Sequence, residues 1–268
     1  MYSFNYHRPG SVTEALECYR SADDGLYLAG GQTLIPTLKQ RLAAPSDLID
    51  LGAIAELTGV DVAPDRVSIG AFTRHATVAA HPEIRRVLPV LAELAAQIGD
   101  AQIRNMGTMG GSVANSDPAA DYPAALVALG ATVHTSRRRI AADEFFQDLF
   151  ETALTPGELI LRIDFPVPRR AAYRKFPNPA SRYAIAGVLV AEFDDAVRVG
   201  ITGAGPCAFR GSALEEALRG RLDPASIDGV EVPDAGFNSD LHASAEYRAQ
   251  LVRVMARRAV ADLLSRRL

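Results

Sequence analysis

Two pairs of adjacent glycines carry the chemistry that this sequence offers. The first, Gly30–Gly31 in "LAGGQTLIP", follows a short apolar run and precedes a helix-like stretch. The second, Gly110–Gly111 in "TMGGSVANSDPAADYP", is flanked by the hydroxyls of Thr108 and Ser112, with Asn115 and Asp121 downstream. Glycine takes a positive φ without penalty, so either pair serves any tight turn. Small residues at a strand–helix junction also let a phosphate reach peptide N–H groups and the positive end of a helix. Alone, the first loop leaves both readings open. With the second loop beside it, the pattern favours a diphosphate held by backbone and hydroxyl donors without a lysine, and a carboxylate such as Asp121 accepts from sugar hydroxyls. Neither loop is a G-x-G-x-x-G fingerprint or a P-loop. "GAGPCAFRG" at 203–211 has a partial G-x-G look that Pro206 spoils, and it reads as a strand-end turn.

The whole chain narrows the chemistry further. Its 268 residues suffice for more than one core. A net charge of −4 argues against nucleic acid or an anionic membrane as the main partner. No apolar run reaches the length of a membrane span, the opening "MYSFNYHRPG" has no signal pattern, and a cytoplasmic protein is expected. Cys18 and Cys207 are the only cysteines; both read as packing residues, and two thiolates cannot hold a four-thiolate iron–sulfur cluster. His75 and His81 lack metal-ligand spacing and are given no ligand role; no metal site, nucleophile triad or catalytic base emerges.

The elements that must position these loops follow from periodicity and punctuation. Ser11 and Glu14 have capping-box spacing before a helix whose Val12, Ala15, Leu16 and Tyr19 share a face. "GLYLAGG" predicts a short buried strand ending in the glycine pair, and "TLIPTLKQRLA" a helix with Pro36 in its first turn. "DLIDLG" and "DRVSIGAFT" predict strands; the stretch 75–99 predicts helix broken at Pro82 and Pro89. From Gly99 to Pro123 no helical or strand period is visible, which marks a functional segment inside a compact domain. Apolar "AALVALGATVHT" follows it. Strands and a short helix are predicted up to "GELILRIDFPVP", with "PVPRR" as the domain boundary. Beyond it an antiparallel sheet with a hairpin at Asp194-Asp195 is expected, then helices, the last with Leu251, Met255 and Leu263 on its apolar side and its arginines on a solvated face.

The pair "LAGGQTLIPTLKQRLAAPSDLIDL" and "IRNMGTMGGSVANSDPAADYP" closely resembles the FAD-binding medium subunits of molybdenum hydroxylases, the family of the carbon monoxide dehydrogenase and xanthine dehydrogenase flavoproteins. The likeness extends through "GELILRIDFP", "YRKFPNPASRYAIAGV", "GITGAGPCAFR" and "DLHASAEYRAQLVRVMARRAV", and so covers essentially the whole chain. It implies an α+β FAD-binding fold of the p-cresol methylhydroxylase/vanillyl-alcohol oxidase type. An FAD-binding domain would span 1–168, in subdomains of about 1–55 and 56–168. A C-terminal sheet-plus-helix domain would span 169–268. It further implies non-covalent FAD, with its diphosphate wrapped by Ala29, Gly30, Gly31, Gln32, Thr33 and Leu34 and completed by Thr108, Gly110, Gly111, Ser112 and Asn115. Asp121 would contact the hydroxyl-bearing part, Ile160 and Lys175 the flavin region, and Tyr183 would lie over the ring. Ile69 stands where some relatives carry an aromatic contact.

The resemblance also implies partners: a large subunit with the molybdenum cofactor and a small subunit with 2Fe-2S clusters, from which electrons pass through FAD to NAD, oxygen, a quinone or another acceptor. Other readings stand beside it. A free-standing FAD dehydrogenase or oxidase of the same fold would need a proton-handling residue, for which Tyr183 is the candidate. A non-redox nucleotide-binding or scaffold module would use both glycine pairs only as turns. At single positions, Asp121 would then cap a helix, Lys175 would be a solvated strand lysine, and Tyr183 a packed sheet residue.

Overall fold

The computed structural model describes residues 1–265. The N-terminal part builds a parallel three-stranded sheet in the order β1-β3-β2. It runs β1 (Asn5–His7), α1 (Val12–Ser21), β2 (Gly25–Leu28), α2 (Leu34–Lys39) and β3 (Asp47–Asp50). The expected cap at α1 forms with a shift: Ser11 Oγ accepts from the Glu14 amide, while Glu14 reaches back to the amide of Gly10 rather than Ser11. Ala15 is buried against Ile49 and Leu51 in a small core of its own.

The middle of the chain folds around a five-stranded antiparallel sheet. It begins with β4 (Val60–Val62), β5 (Arg66–Gly70), α3 (His75–Ala80), α4 (Pro82–Val87) and α5 (Pro89–Ala96). Pro82 and Pro89 each open a helix, where the missing N–H leaves no vacancy in the ladder. Next come α6 (Ala101–Met106), α7 (Met109–Asn115), α8 (Asp121–Leu129), β6 (Thr132–Thr135), β7 (Arg139–Ala141), α9 (Ala142–Phe145), the hairpin β8 (Phe146–Asp148) and β9 (Glu151–Thr152), and β10 (Ile160–Pro166). The sheet order is β4-β5-β10-β6-β7.

The segment expected to be aperiodic therefore carries three helices. Two are under two turns long, too short to display a period, and their caps are what define them. Asp100 caps α6 through the Ile103 amide, and Thr108 caps α7 through the Gly111 amide. A left-handed Ser116, φ 47°, ends α7. The third helix, α8, is buried at every residue. A helix apolar on all sides needs cover on all sides.

That cover comes from the C-terminal part: β11 (Arg170–Pro177), β12 (Ala184–Glu192), β13 (Val197–Thr202), β14 (Phe209–Arg210), α10 (Ser212–Leu218) and α11 (Ala245–Ser265). Its antiparallel sheet runs β11-β12-β13-β14, with Asp194-Asp195 at the β12–β13 hairpin as expected. β12 is buried from Ala184 to Ala191 because α8 covers one face and α11 the other. α8 approaches β13 so closely that a Cβ on Gly200 would lie 2.2 Å from Ala124 O. The largest core joins Ile69, Leu126 and Ile163 to Tyr173 and Leu189, so the apolar interior runs without a break past the "PVPRR" stretch. Leu251, Met255 and Leu263 are buried as expected. One arginine of α11 departs from the expected solvated face. Arg248 is 4% exposed and donates to Ile185 O and Gly203 O, both at 2.7 Å, and to Asp240 at 2.8 Å. Arg266, Arg267 and Leu268, at the end of the last predicted helix, lie outside the described residues.

Candidate functional site

A cavity of about 730 Å³ opens between the first sheet, the helices α6 to α8, and the loop joining β11 to β12. Ala29, Gly30, Gly31, Gln32, Thr33 and Leu34 line it from one side. Thr108, Gly110, Gly111, Ser112, Asn115 and Asp121 line it from the other, with Ile160 and Tyr183 completing the wall. Of the residues assigned to the cofactor from the sequence, Lys175 alone does not reach it.

The two glycine pairs are built differently. After β2 the chain reverses at Gly31, φ +71°, and Ile35 N bonds Gly31 O to start α2. Among the described residues, the amides of Gly30, Gly31, Gln32, Thr33 and Leu34 donate to no protein acceptor. Thr33 is the N-cap residue of α2 and makes no side-chain cap bond. This is an unfilled row of donors at a helix N-terminus, the arrangement that an anionic diphosphate satisfies. Gly30 is required for a different reason: a Cβ there would lie 2.2 Å from Met106 O, so the first turn rests directly on the chain entering α7.

The second pair does not present the amides expected of it. Met109 N bonds Thr73 O at 3.0 Å, Gly110 N bonds Ala71 O at 2.8 Å, Gly111 N bonds Thr108 Oγ1 at 3.2 Å, and Ser112 N bonds Thr108 O at 3.1 Å. The segment after β5 has taken the first two of those donors, and Thr108 the other two. Gly110 is small because a Cβ would meet Ala71 Cβ at 2.6 Å. What this side offers a ligand is closeness of approach and side chains: the side chains of Ser112 and Asn115 make no hydrogen bond within the chain among the described residues.

Asp121 opens α8 but does not cap it; the N-cap is Ala120. The carboxylate instead takes Tyr173 OH at 2.6 Å and Lys175 Nζ at 3.0 Å. Burial pushes its pKa above the ordinary carboxylate value, against the pull of the Lys175 ammonium and the Tyr173 hydroxyl. Lys175 is no solvated strand lysine: its side chain is 4% exposed, and its other protons go to Gln97 O at 3.0 Å and Arg182 O at 2.9 Å. It therefore fixes Asp121, the end of α5 and the β11–β12 loop to one another from behind the cavity wall. Tyr183 sits in that loop, outside the strands and 45% exposed, after Arg182 in a left-handed conformation with φ 64°. Burial of its phenol and the nearby Asp117 and Asp121 push its pKa up.

Sequence reasoning missed several wall residues. Ile69 points into the core, and Phe72, three residues on, supplies the aromatic surface at the cavity. Glu158 stands at the wall with a fully covered side chain. Burial raises its pKa, but hydrogen bonds from Thr135, Thr155 and Arg138 outweigh that and hold it at about 2. His75, given no role from spacing, lines the cavity and is held down at about 4 by burial and the Arg104 guanidinium. None of these carries a local signal, because each arrives by a contact distant in sequence. Among the described residues no cluster has the makings of a metal site, and no helix is long and apolar enough to cross a membrane.

Residues 2–168 match the family described as the FAD binding domain in molybdopterin dehydrogenase. The chain is 36% identical to the carbon monoxide dehydrogenase medium chain of Afipia carboxidovorans, over 96% of each protein. It is 34% identical to the glyceraldehyde dehydrogenase medium chain of Sulfolobus acidocaldarius, over 97% of this chain and 98% of that one. Among solved structures it superimposes on a chain of the reconstituted CO dehydrogenase from Oligotropha carboxidovorans with a TM-score of 0.91 at 34% identity, covering 99% of each.

Proposed function

The chain belongs to the family of FAD-binding domains of molybdopterin dehydrogenases, and we propose that it is the FAD-carrying electron-transfer subunit of a molybdenum hydroxylase complex. The observation that carries this reading is the row of unpartnered amides from Gly30 to Leu34 facing a cavity of about 730 Å³. Those amides would hold the diphosphate, with Ser112 and Asn115 opposite. Asp121 would accept from the cofactor's hydroxyls. Leu159, Ile160 and Phe72 exclude water from the apolar part of the wall. Tyr183 at the mouth would cover the flavin, and Lys175 acts at one remove by fixing Asp121 and the Tyr183 loop. When bound, FAD supplies the electron-carrying chemistry, and the protein supplies position and surroundings. In this reading a small subunit with 2Fe-2S clusters delivers electrons that a large subunit with the molybdenum cofactor takes from substrate. The final acceptor is NAD, oxygen, a quinone or a further carrier, and the assembly is cytoplasmic. The cysteine count agrees with that division, since Cys18 and Cys207 are free and far too few for a cluster.

The test is the visible spectrum of the protein isolated from its native source with its co-purifying chains retained. Flavin bands together with iron–sulfur absorption are expected. Flavin bands without any iron–sulfur or molybdenum partner would move the assignment to a free-standing flavoenzyme. A folded, colourless protein that refuses added FAD would end the reading.

A further inference from the structure

Among the described residues, His75 is the one cavity-lining residue that carries a buried side-chain atom with no hydrogen bond. It is 4% exposed, opens α3, and packs at a tilt on Tyr122 with ring centroids 5.3 Å apart. Its other face lies on Gly107, where a Cβ would come within 2.6 Å of Nε2. Gly107 in turn abuts the first glycine turn: a Cβ on Gly30 would lie 2.8 Å from Gly107 Cα. The imidazole therefore stands one glycine's thickness from the row of unpartnered amides.

The two ring nitrogens are not equivalent. Nδ1 is sealed in protein without a partner; Nε2 makes no hydrogen bond either, yet it is not sealed. A neutral imidazole donates from one nitrogen only. With Nδ1 sealed, Nε2 is the ring nitrogen available to a ligand, and the tautomer with its proton on Nε2 makes it a donor. Native proteins seldom keep a buried polar group idle, and an apolar side chain would fill this place without the penalty. The wall around it holds the carboxylates of Asp117, Asp121 and Glu158, and Arg182 is its only Lys or Arg among the described residues. A phosphate here depends on neutral, directed donors.

We propose that His75 donates through Nε2–H to a phosphate oxygen of the bound dinucleotide, extending the row of amides from Gly30 to Leu34. This rests on the FAD reading above. Neither glycine turn contributes the group, and its contact is with the diphosphate half of the ligand rather than the flavin.

The test measures FAD and ADP affinity by fluorescence and calorimetry on the full chain, freed of flavin and held with any co-purifying subunits. His75→Gln keeps an N–H near the Nε2 position and is expected to bind both ligands within about threefold of the parent protein. His75→Leu is expected to bind both about tenfold more weakly, the loss of one hydrogen bond. The ligand-free Leu variant should melt no lower than the parent protein, since it removes an unsatisfied buried atom. His75→Asn, whose amide falls near Nδ1 instead, should behave as Leu does and serves if Leu does not fold. A Leu or Asn variant that binds FAD as the parent does would overturn the role of His75 and leave the FAD reading intact. A loss seen with FAD but not ADP would overturn the phosphate contact. A parent protein that binds neither ligand would overturn the reading beneath.

Discussion

Gly30–Gly31 and Gly110–Gly111 face one cavity from opposite sides, and their backbones are in opposite states. The first pair follows a strand, and its amides have no protein acceptor; of the second pair, Gly110 N is held by Ala71 O and Gly111 N by Thr108 Oγ1 before any ligand arrives. The same dipeptide thus does two jobs. One side is built to bind, and the other is built to be firm and close. The difference teaches that a glycine pair signals proximity, while the partners of its amides decide what the proximity is for.

The sharpest way to break this comparison is to add a Cβ on each side. Gly30→Ala would drive a methyl into Met106 O and shift the turn that carries the open amides. FAD affinity should fall about 100-fold or more, equivalent to about 3 kcal/mol, measured by fluorescence titration. Gly110→Ala meets Ala71 at 2.6 Å and strains the support instead. It should lower unfolding stability by about 2 kcal/mol in denaturant titrations while the folded protein keeps most of its FAD affinity. Equal losses of affinity in both variants would dissolve the distinction.

Acid sharpens it further, because the titratable ring of His75 lies against Gly107, in the chain that leads into the second turn. Its folded pKa, about 4, is below the ordinary 6.5, so the unfolded chain takes up the proton first. Its contribution to stability is complete above pH 6.5 and is lost as pH falls from there toward 4, on the order of 2 kcal/mol. Thermal unfolding of the parent protein at pH 7 and pH 5 should therefore differ more than that of His75→Gln. A parallel pH dependence in both would remove His75 as the cause.

The smallest effect concerns the two threonines. Thr108 caps α7 through the Gly111 amide, and Thr108→Ala should cost about 1 kcal/mol. Thr33 makes no cap bond, and Thr33→Ala should stay within about 0.3 kcal/mol without ligand. A chemical denaturation series separates them.

Much of this architecture was legible where the signal is local. Pro82 and Pro89 marked the breaks in the helical stretch 75–99, "GLYLAGG" showed the strand and its turn, and Asp194-Asp195 marked the hairpin. The two glycine loops, Asp121, Ile160 and Tyr183 were picked out, and all stand at the cavity. The helices α6 and α7 were not legible, because under two turns of helix shows no period, and α7 is rich in Gly, Ser and Asn besides. Occupied amides were also invisible: nothing in "TMGGS" reveals that Thr73 and Ala71 will bond it. Phe72, His75 and Glu158 reach the wall through pairings spread along the chain. Arg248 reads as one more surface arginine until Ile185 O, Gly203 O and Asp240 surround it.

The network behind Asp121 sets an order of events during synthesis. Asp121 emerges with α8, but Tyr173 and Lys175, which meet its buried carboxylate, belong to β11 and leave the ribosome some fifty residues later (Lys175 is 54 residues downstream). α8 likewise waits for β12 and β13 to cover it. A nascent chain that stops at residue 168 ends where the family match ends. It would hold the Asp121 carboxylate without Tyr173 or Lys175, at the head of an apolar helix whose β12–β13 side is uncovered. The cavity can take its final shape only once the C-terminal sheet has been made, so cofactor loading belongs after translation of the whole chain.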